Sequence, residues 1–270
     1  MNCVIKRACA RILPALALLP AMAAAAELKP ATLEAFERYV LKAEGKLQNR
    51  LQPETFLWAT GDSSRLVAVR GGRVVAEPLA GKGDLPLPDG LVHDWIGSVF
   101  ISGATLPQVL AAVQDYDNHK KYYRPEVLDS KLLFRDGNDF RIYLRLMKKK
   151  VITVVLNTEH DVRYYPLDST RCYSRSKSAK IAELADPGTP REREKPAGAG
   201  HGFLWRLYSY WRFQEKDGGV YVECEAISLT RDVPGGLAWL IEPIIRGLPA
   251  DSLVATLRST REAVRARTGR

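Results

Sequence analysis

Apolar positions Leu33, Phe36, Val40, Leu41 and Leu47 recur at roughly helical spacing, which predicts an amphipathic helix over residues 30–51. Thr32, Glu34 and Glu37 suit its first turn, and Pro53 ends it. Three short strand-like runs follow, at 56–59, 66–70 and 74–77, with Gly71 and Gly72 as a hairpin turn between the last two. A loop rich in Gly, Pro and Asp occupies 81–90. A longer strand is predicted over 93–101. Thr105 is a good N-cap, Pro107 falls in a first turn, and Leu106, Val109, Leu110 and Val113 give one apolar helix face. A second short helical segment spans 116–123 and closes at Pro125.

Beyond Pro125 the period changes to two. Strands are expected at 127–135, 140–147, 151–158, 161–165, 171–183, 202–214 and 220–230. Asp136-Gly137-Asn138, Pro166-Leu167-Asp168 and Asp217-Gly218-Gly219 are turn sequences, and such short turns favour antiparallel neighbours. Residues 186–201 read as a long exposed loop. An apolar helical segment at 237–246 is broken by Gly247 and Pro249, and a last helix runs over 250–267. The order predicts an α+β fold: one strand, two short helices, about six or seven antiparallel strands, then a long helix. One helix covers a curved sheet only in part, and the uncovered part is a cavity.

Composition changes this picture mainly at the N-terminus. Lys6, Arg7 and Arg11 precede an apolar run at 12–22, and Ala24 and Ala26 fit a small-residue cleavage rule. Residues 1–26 are therefore expected to be a signal peptide, with a periplasmic or secreted product; the run is too short to span a bilayer. The net charge of +9 falls to +6 without the three basic residues of that segment. No concentrated basic stripe points to nucleic acid. Residues 27–90 read as an N-terminal extension packed on a main domain at 91–270. Cys172 and Cys224 sit in predicted strands. A disulfide needs those strands to be neighbours in register, and two buried thiols are the alternative.

Two stretches carry a family resemblance. Residues 103–130 place a capped helix with Val and Leu before an Asp-containing bend, the pair Tyr122-Tyr123, Pro125, Val127 and then Ser130. Residues 228–237 run Ser-Leu-Thr-Arg-Asp-Val-Pro-Gly-Gly-Leu, followed by Leu248-Pro-Ala-Asp-Ser-Leu and the final helix. Together they resemble the two ends of START-like, or SRPBCC, helix-grip proteins over about 91–267. The resemblance implies a helix-grip fold and a cavity for a lipid, quinone, sterol or polyketide. It supplies no catalytic residues, so a binder or carrier is expected ahead of a cyclase- or hydrolase-type enzyme in the same cavity.

The aromatic strand 203–213 is the most informative local stretch. Alternation separates Trp205, Leu207, Ser209, Trp211 and Phe213 from Arg206, Tyr208, Tyr210 and Arg212. The first set is placed on the concave face, so Trp205, Leu207, Trp211 and Phe213, with Leu253 and Leu257 from the last helix, are the candidate ligand-binding residues. They either line a cavity or simply fill it. Glu223 and Glu225 share one face, which Arg206 could meet if the last two long strands pair; solvated cross-strand ion pairs are expected, and the alternative is one Arg–Glu pair inside the cavity that orients a polar ligand head. His93, His119, His160 and His201 stand alone in sequence. Asp115, Asp117 and His119 do not share a helical face, so no metal or cofactor is assigned. Gly198-Ala-Gly-His-Gly202 has the glycine content of a nucleotide loop but precedes a strand rather than a helix. Trp239, Leu240 and Ile244 form an apolar segment expected either to pack on the sheet edge or to touch a membrane transiently.

Overall fold

The computed structural model describes residues 27–149, 153–232 and 238–269, and the side chains of all of these except 238–246. The segment expected to be a signal peptide lies outside that description, as do the side chains of Trp239, Leu240 and Ile244, for which a membrane contact is one expectation.

One sheet organises the chain. Its strands are β1 (Val75–Pro78), β2 (Asp84–Leu87), β3 (Gly90–Ser102), β4 (Val127–Asp136), β5 (Asp139–Lys149), β6 (Thr153–Pro166), β7 (Arg171–Ala185), β8 (Arg193–Glu194), β9 (Arg206–Lys216) and β10 (Gly219–Arg231). The main path runs β1-β3-β10-β9-β7-β6-β5-β4, with β2 also on β3 and β8 on β7. All pairs are antiparallel. The sheet is larger than the six or seven strands expected. β1 and β2 of the extension add to the free edge of β3, and β8 rises from the 186–201 loop. The runs expected as separate strands at 151–158 and 161–165 form the single strand β6, whose register with β7 shifts by one residue between Glu159 and His160.

Helices α1 (Pro30–Asn49), α2 (Ser63–Arg70), α3 (Leu106–Val113), α4 (His119–Tyr122) and α5 (Ala238–Thr268) complete the fold. Three expectations are corrected. The run at 66–70 belongs to α2, because the Asp62 carboxylate caps it by accepting from the Arg65 amide at 2.8 Å; five residues are too few for a period to decide. Residues 56–59 form no strand either, and lead into a 3-10 turn at Ala59–Gly61. The terminal helix is continuous through Gly247 and Pro249, so the expected break is absent. Proline removes one amide donor there, and packing against β3, β10, α3 and α4 holds the helix nonetheless.

The helix α5 seats on β3 at Gly97. A Cβ at that position would lie 2.7 Å from Cδ1 of Leu257 and 3.3 Å from Cδ2 of Leu253. Only the missing side chain lets the helix approach so closely. Leu253 and Leu257 join Val99, Ile101, Phe213, Val222 and Cys224 in the main core.

The outer face of the sheet is covered over β3, β10 and β9. Helix α1 lies across it, and Phe36, Val40, Ala43 and Leu47 pack on Val92, Tyr208, Tyr210, Ile227 and Leu229. The acidic pair expected in water is therefore buried, with Glu223 at 1% and Glu225 at 4% exposure, and Arg212 is buried with them. The residue opposite Glu223 is Arg212, not Arg206. The extension supplies the compensating donors: the amides of Trp58 and Ala59 donate to the Glu223 carboxylate at 2.7 and 2.8 Å, and Arg50 stands 3.7 Å away. Tyr39 donates to Asp94 at 2.6 Å. Burial lifts Glu225 to about 8, helped by the neighbouring Asp94. Burial lifts Asp94 to about 6 against the hydrogen bond from Tyr39.

Cys172 and Cys224 are free and buried. β9 lies between their strands, so their backbones are about two strand spacings, ~10 Å, apart, beyond disulfide reach.

Two outcomes follow. Gly97→Val should destabilise the protein by about 1–3 kcal/mol, read by denaturant melts, because the added methyls overpack the seat of α5. An unchanged midpoint would remove that seat from the account. Glu225 has a folded value above its unfolded one, so the folded state holds the extra proton between about 4.5 and about 8. Stability from this group is full below that window and falls as pH rises through it. Glu225→Gln should therefore flatten the pH dependence of the melting midpoint between pH 5 and 8; identical profiles would refute the buried, proton-holding carboxyl.

Candidate ligand cavity

Side chains on the inner face of the sheet become small toward its middle, and this opens space under α5. Across one row of the register stand Tyr164, Ser174, Trp211, Cys224 and Gly97; across the next stand Val162, Ser176, Ser209, Ala226 and Trp95. Ser174, Ser176, Ser209 and Ala226 leave a hollow where a filled core would have leucines. The result is a cavity of about 290 Å³, at the lower end of the range for small-molecule pockets. Leu144, Leu146, Val162, Phe203, Leu207 and Trp211 supply much of the apolar wall, and Leu248, Pro249, Ser252, Leu253 and Thr256 of α5 supply the roof. Trp211 and Phe213 stack with ring planes 4° apart.

Four of the six candidate residues meet here: Leu207, Trp211, Phe213 and Leu253 all line the cavity. Leu257 does not; it is fully buried one turn further along α5, against Gly97. Trp205 is a correction. It precedes β9, donates its amide to the carbonyl of Leu229 at 2.8 Å, and packs in the cluster under α1. Strand alternation holds only from Arg206 onward, so it could not carry Trp205 to the inner face.

The wall is not purely apolar. All four histidines of the chain line it, although they are far apart in sequence. His93 Nε2 lies 3.0 Å from Thr230 Oγ1, and His160 Nε2 lies 3.0 Å from Thr158 Oγ1. His119 Nε2 donates to the carbonyl of Val113 at 3.0 Å. Burial pushes His119 and His160 down to about 4, so both are neutral at physiological pH. His201 instead meets a carboxylate: its Nδ1 lies 2.6 Å from Glu183 Oε1. The tyrosine hydroxyls pair as well, Tyr116 with Tyr164 at 2.8 Å and Tyr123 with Thr260 at 3.0 Å. Ser174, 1% exposed, keeps a hydroxyl without a hydrogen-bond partner at the cavity floor. At one wall Lys148 donates to Ser252 at 2.9 Å and stands 3.5 Å from Glu126, which ties α5 to the end of β5. Among the described residues no group of three or more His, Cys, Asp or Glu gathers as a metal site.

Sequence reading passed over the serines and the histidines. A signal existed in β7, where Ser174, Ser176 and Ser178 alternate with Arg175 and Lys177. That alternation puts small polar groups inward and basic ones outward. The histidines carried no such signal, because only the sheet brings their strands together.

No protein-family model matches the chain, and no curated protein is detectably similar to it. Solved structures do superpose. A protein from Thermus thermophilus is 14% identical, with a TM-score of 0.47 over 64% of this chain and 97% of its own. A STAR-related lipid transfer protein fragment from Xanthomonas axonopodis is 16% identical, with a TM-score of 0.45 over 72% of this chain and 99% of its own. An aromatase/cyclase from a Streptomyces species is 12% identical, with a TM-score of 0.42 over 66% of this chain and 96% of its own. The order of elements from β3 through α3 and α4 to the long antiparallel sheet and the closing α5 is the helix-grip arrangement expected from the sequence.

Proposed function

We propose that the protein is exported and binds or carries a hydrophobic small molecule of the lipid, quinone, sterol or polyketide kind between the sheet and α5. The observation that carries this reading is the cavity itself: about 290 Å³ of space where close packing is the rule for protein interiors. A void of this size costs stability unless something occupies it, and its wall mixes apolar side chains with a few convergent polar groups, the composition of ligand pockets. Its size fits one chain or a few fused rings rather than a two-chain lipid. Export rests on the basic, apolar and small-residue succession at the N-terminus.

Native mass spectrometry of the purified protein should reveal a co-purified molecule, or uptake of one from a mixed lipid and quinone extract. Ser209→Leu places an isobutyl group in the hollow. It should reduce uptake at least about tenfold, or ~1.4 kcal/mol, while the melting midpoint holds or rises. Uptake by the filled variant equal to that of the wild type would mean that the ligand sits elsewhere.

A further inference from the structure

The loop that resembles a nucleotide loop only in its glycines has a different task in the structure. Gly200 has φ of +120°, and a Cβ there would lie 2.5 Å from Oε2 of Glu183. The loop thus closes directly over a carboxylate, which a side chain at this position would prevent. Glu183 comes from β7 and is 6% exposed. Its carboxylate accepts from the His201 amide at 2.8 Å, from His201 Nδ1 at 2.6 Å and from Lys195 Nζ at 2.5 Å. Burial works against its charge, but these donors outweigh burial and hold it below the usual glutamate range. His201 is therefore clamped at backbone and ring together. Because Nδ1–H donates to the carboxylate, the neutral ring carries its lone pair on Nε2. The imidazole lines the cavity beside Phe203, with ring centroids 6.1 Å apart.

A clamped imidazole backed by a carboxylate is the arrangement that accepts a proton and stabilises the imidazolium that results. We propose that Glu183 and His201 form a proton-accepting subsite of the cavity, in which Nε2 of His201 takes the proton of a phenolic or enolic hydroxyl on a ring-bearing ligand. The O–H bond breaks, an N–H bond forms, and the electron pair stays on the ligand oxygen. The acidity of the donor selects the class. A carboxylic acid has already lost its proton at neutral pH, an aliphatic alcohol holds it too firmly, and a phenol near ~10 lies within reach of a carboxylate-backed imidazole. Arg231 and Asp232 line the same cavity, as do Lys148 and Glu126, and Lys195 sits on Glu183. The inference rests on the ligand-binding reading of the cavity.

7-Hydroxycoumarin, a two-ring phenol whose absorption moves to longer wavelength when it ionises, is a suitable probe. Binding is read by quenching of tryptophan fluorescence and ionisation by the absorption spectrum, at neutral pH, where the free phenol is largely un-ionised. The wild type should bind the phenol and shift it to the ionised spectrum. His201→Gln should bind it more weakly and leave the bound phenol un-ionised; Glu183→Gln should give an intermediate spectrum, and His201→Gln decides alone if that second variant does not fold. A phenol that binds the wild type and stays un-ionised, or that is equally ionised when bound to His201→Gln, would overturn the subsite while leaving the cavity reading intact. No binding by the wild type would instead bring down the cavity reading, and this inference with it.

Discussion

Everything in the interior depends on where α5 touches the sheet. The helix approaches β3 closely at Gly97, and that contact lies off the centre of the sheet, next to the β1 edge. A rigid helix anchored near one side leaves the inner faces of β9, β7, β6 and β5 to be covered by its flank alone. Residues of ordinary core size on those strands would close the gap. The chain places serines and an alanine there, so the gap persists as a cavity. Glycine at 97 and serine at 174, 176 and 209 are two halves of one device: close approach on one side, enforced space on the other.

The outer face follows the opposite logic. Where the inner face is small and hollow, the outer face carries Tyr208, Tyr210, Arg212, Glu223 and Glu225 under α1, packed and charged. Stranded charges at such depth would be costly, and the extension answers with amides from the turn near Trp58, the Tyr39 hydroxyl and Arg50. The extension is thus more than an appendage: it desolvates the outer side of β3, β10 and β9 and supplies the donors which that area then requires. Tyr208 and Tyr210 tie α1 down further through Glu37 and Glu44, each at 2.9 Å. Firm packing behind the sheet keeps it from collapsing into the hollow in front.

The sequence made the order of elements after Gly90 legible because short Gly- and Asp-bearing turns separate period-two runs, and because the capped α3 and the terminal helix bracket them. It put Leu207, Trp211 and Phe213 on the cavity side, since alternation within a regular strand fixes facing, and Leu253 there through the apolar face of the terminal helix. Alternation failed at Trp205, one residue outside the strand. The fate of Glu223 and Glu225 was illegible for a different reason: acidic residues on alternate strand positions look alike whether water or another helix covers them. The continuity of α5 through Gly247 and Pro249 was hidden because local breakers are overridden by packing on several partners. The histidines converge only through pairings between distant strands, which no spacing along the chain encodes.

A cavity lined by hydroxyls and imidazoles also constrains what can enter. Purely apolar voids stay dry, whereas a floor bearing Ser174, Ser176 and Ser209 can hold water with two or more partners per molecule. A ligand must then displace such waters, and it gains only if its own oxygen atoms replace the hydrogen bonds they made. An unadorned hydrocarbon chain would leave the Ser174 hydroxyl unpaired in a buried site, at a cost of about 1–3 kcal/mol. The polar floor and the clamped His201 therefore discriminate in the same direction. Both favour a compact apolar molecule that carries oxygen on its rings over one whose only polar atoms sit at a single end.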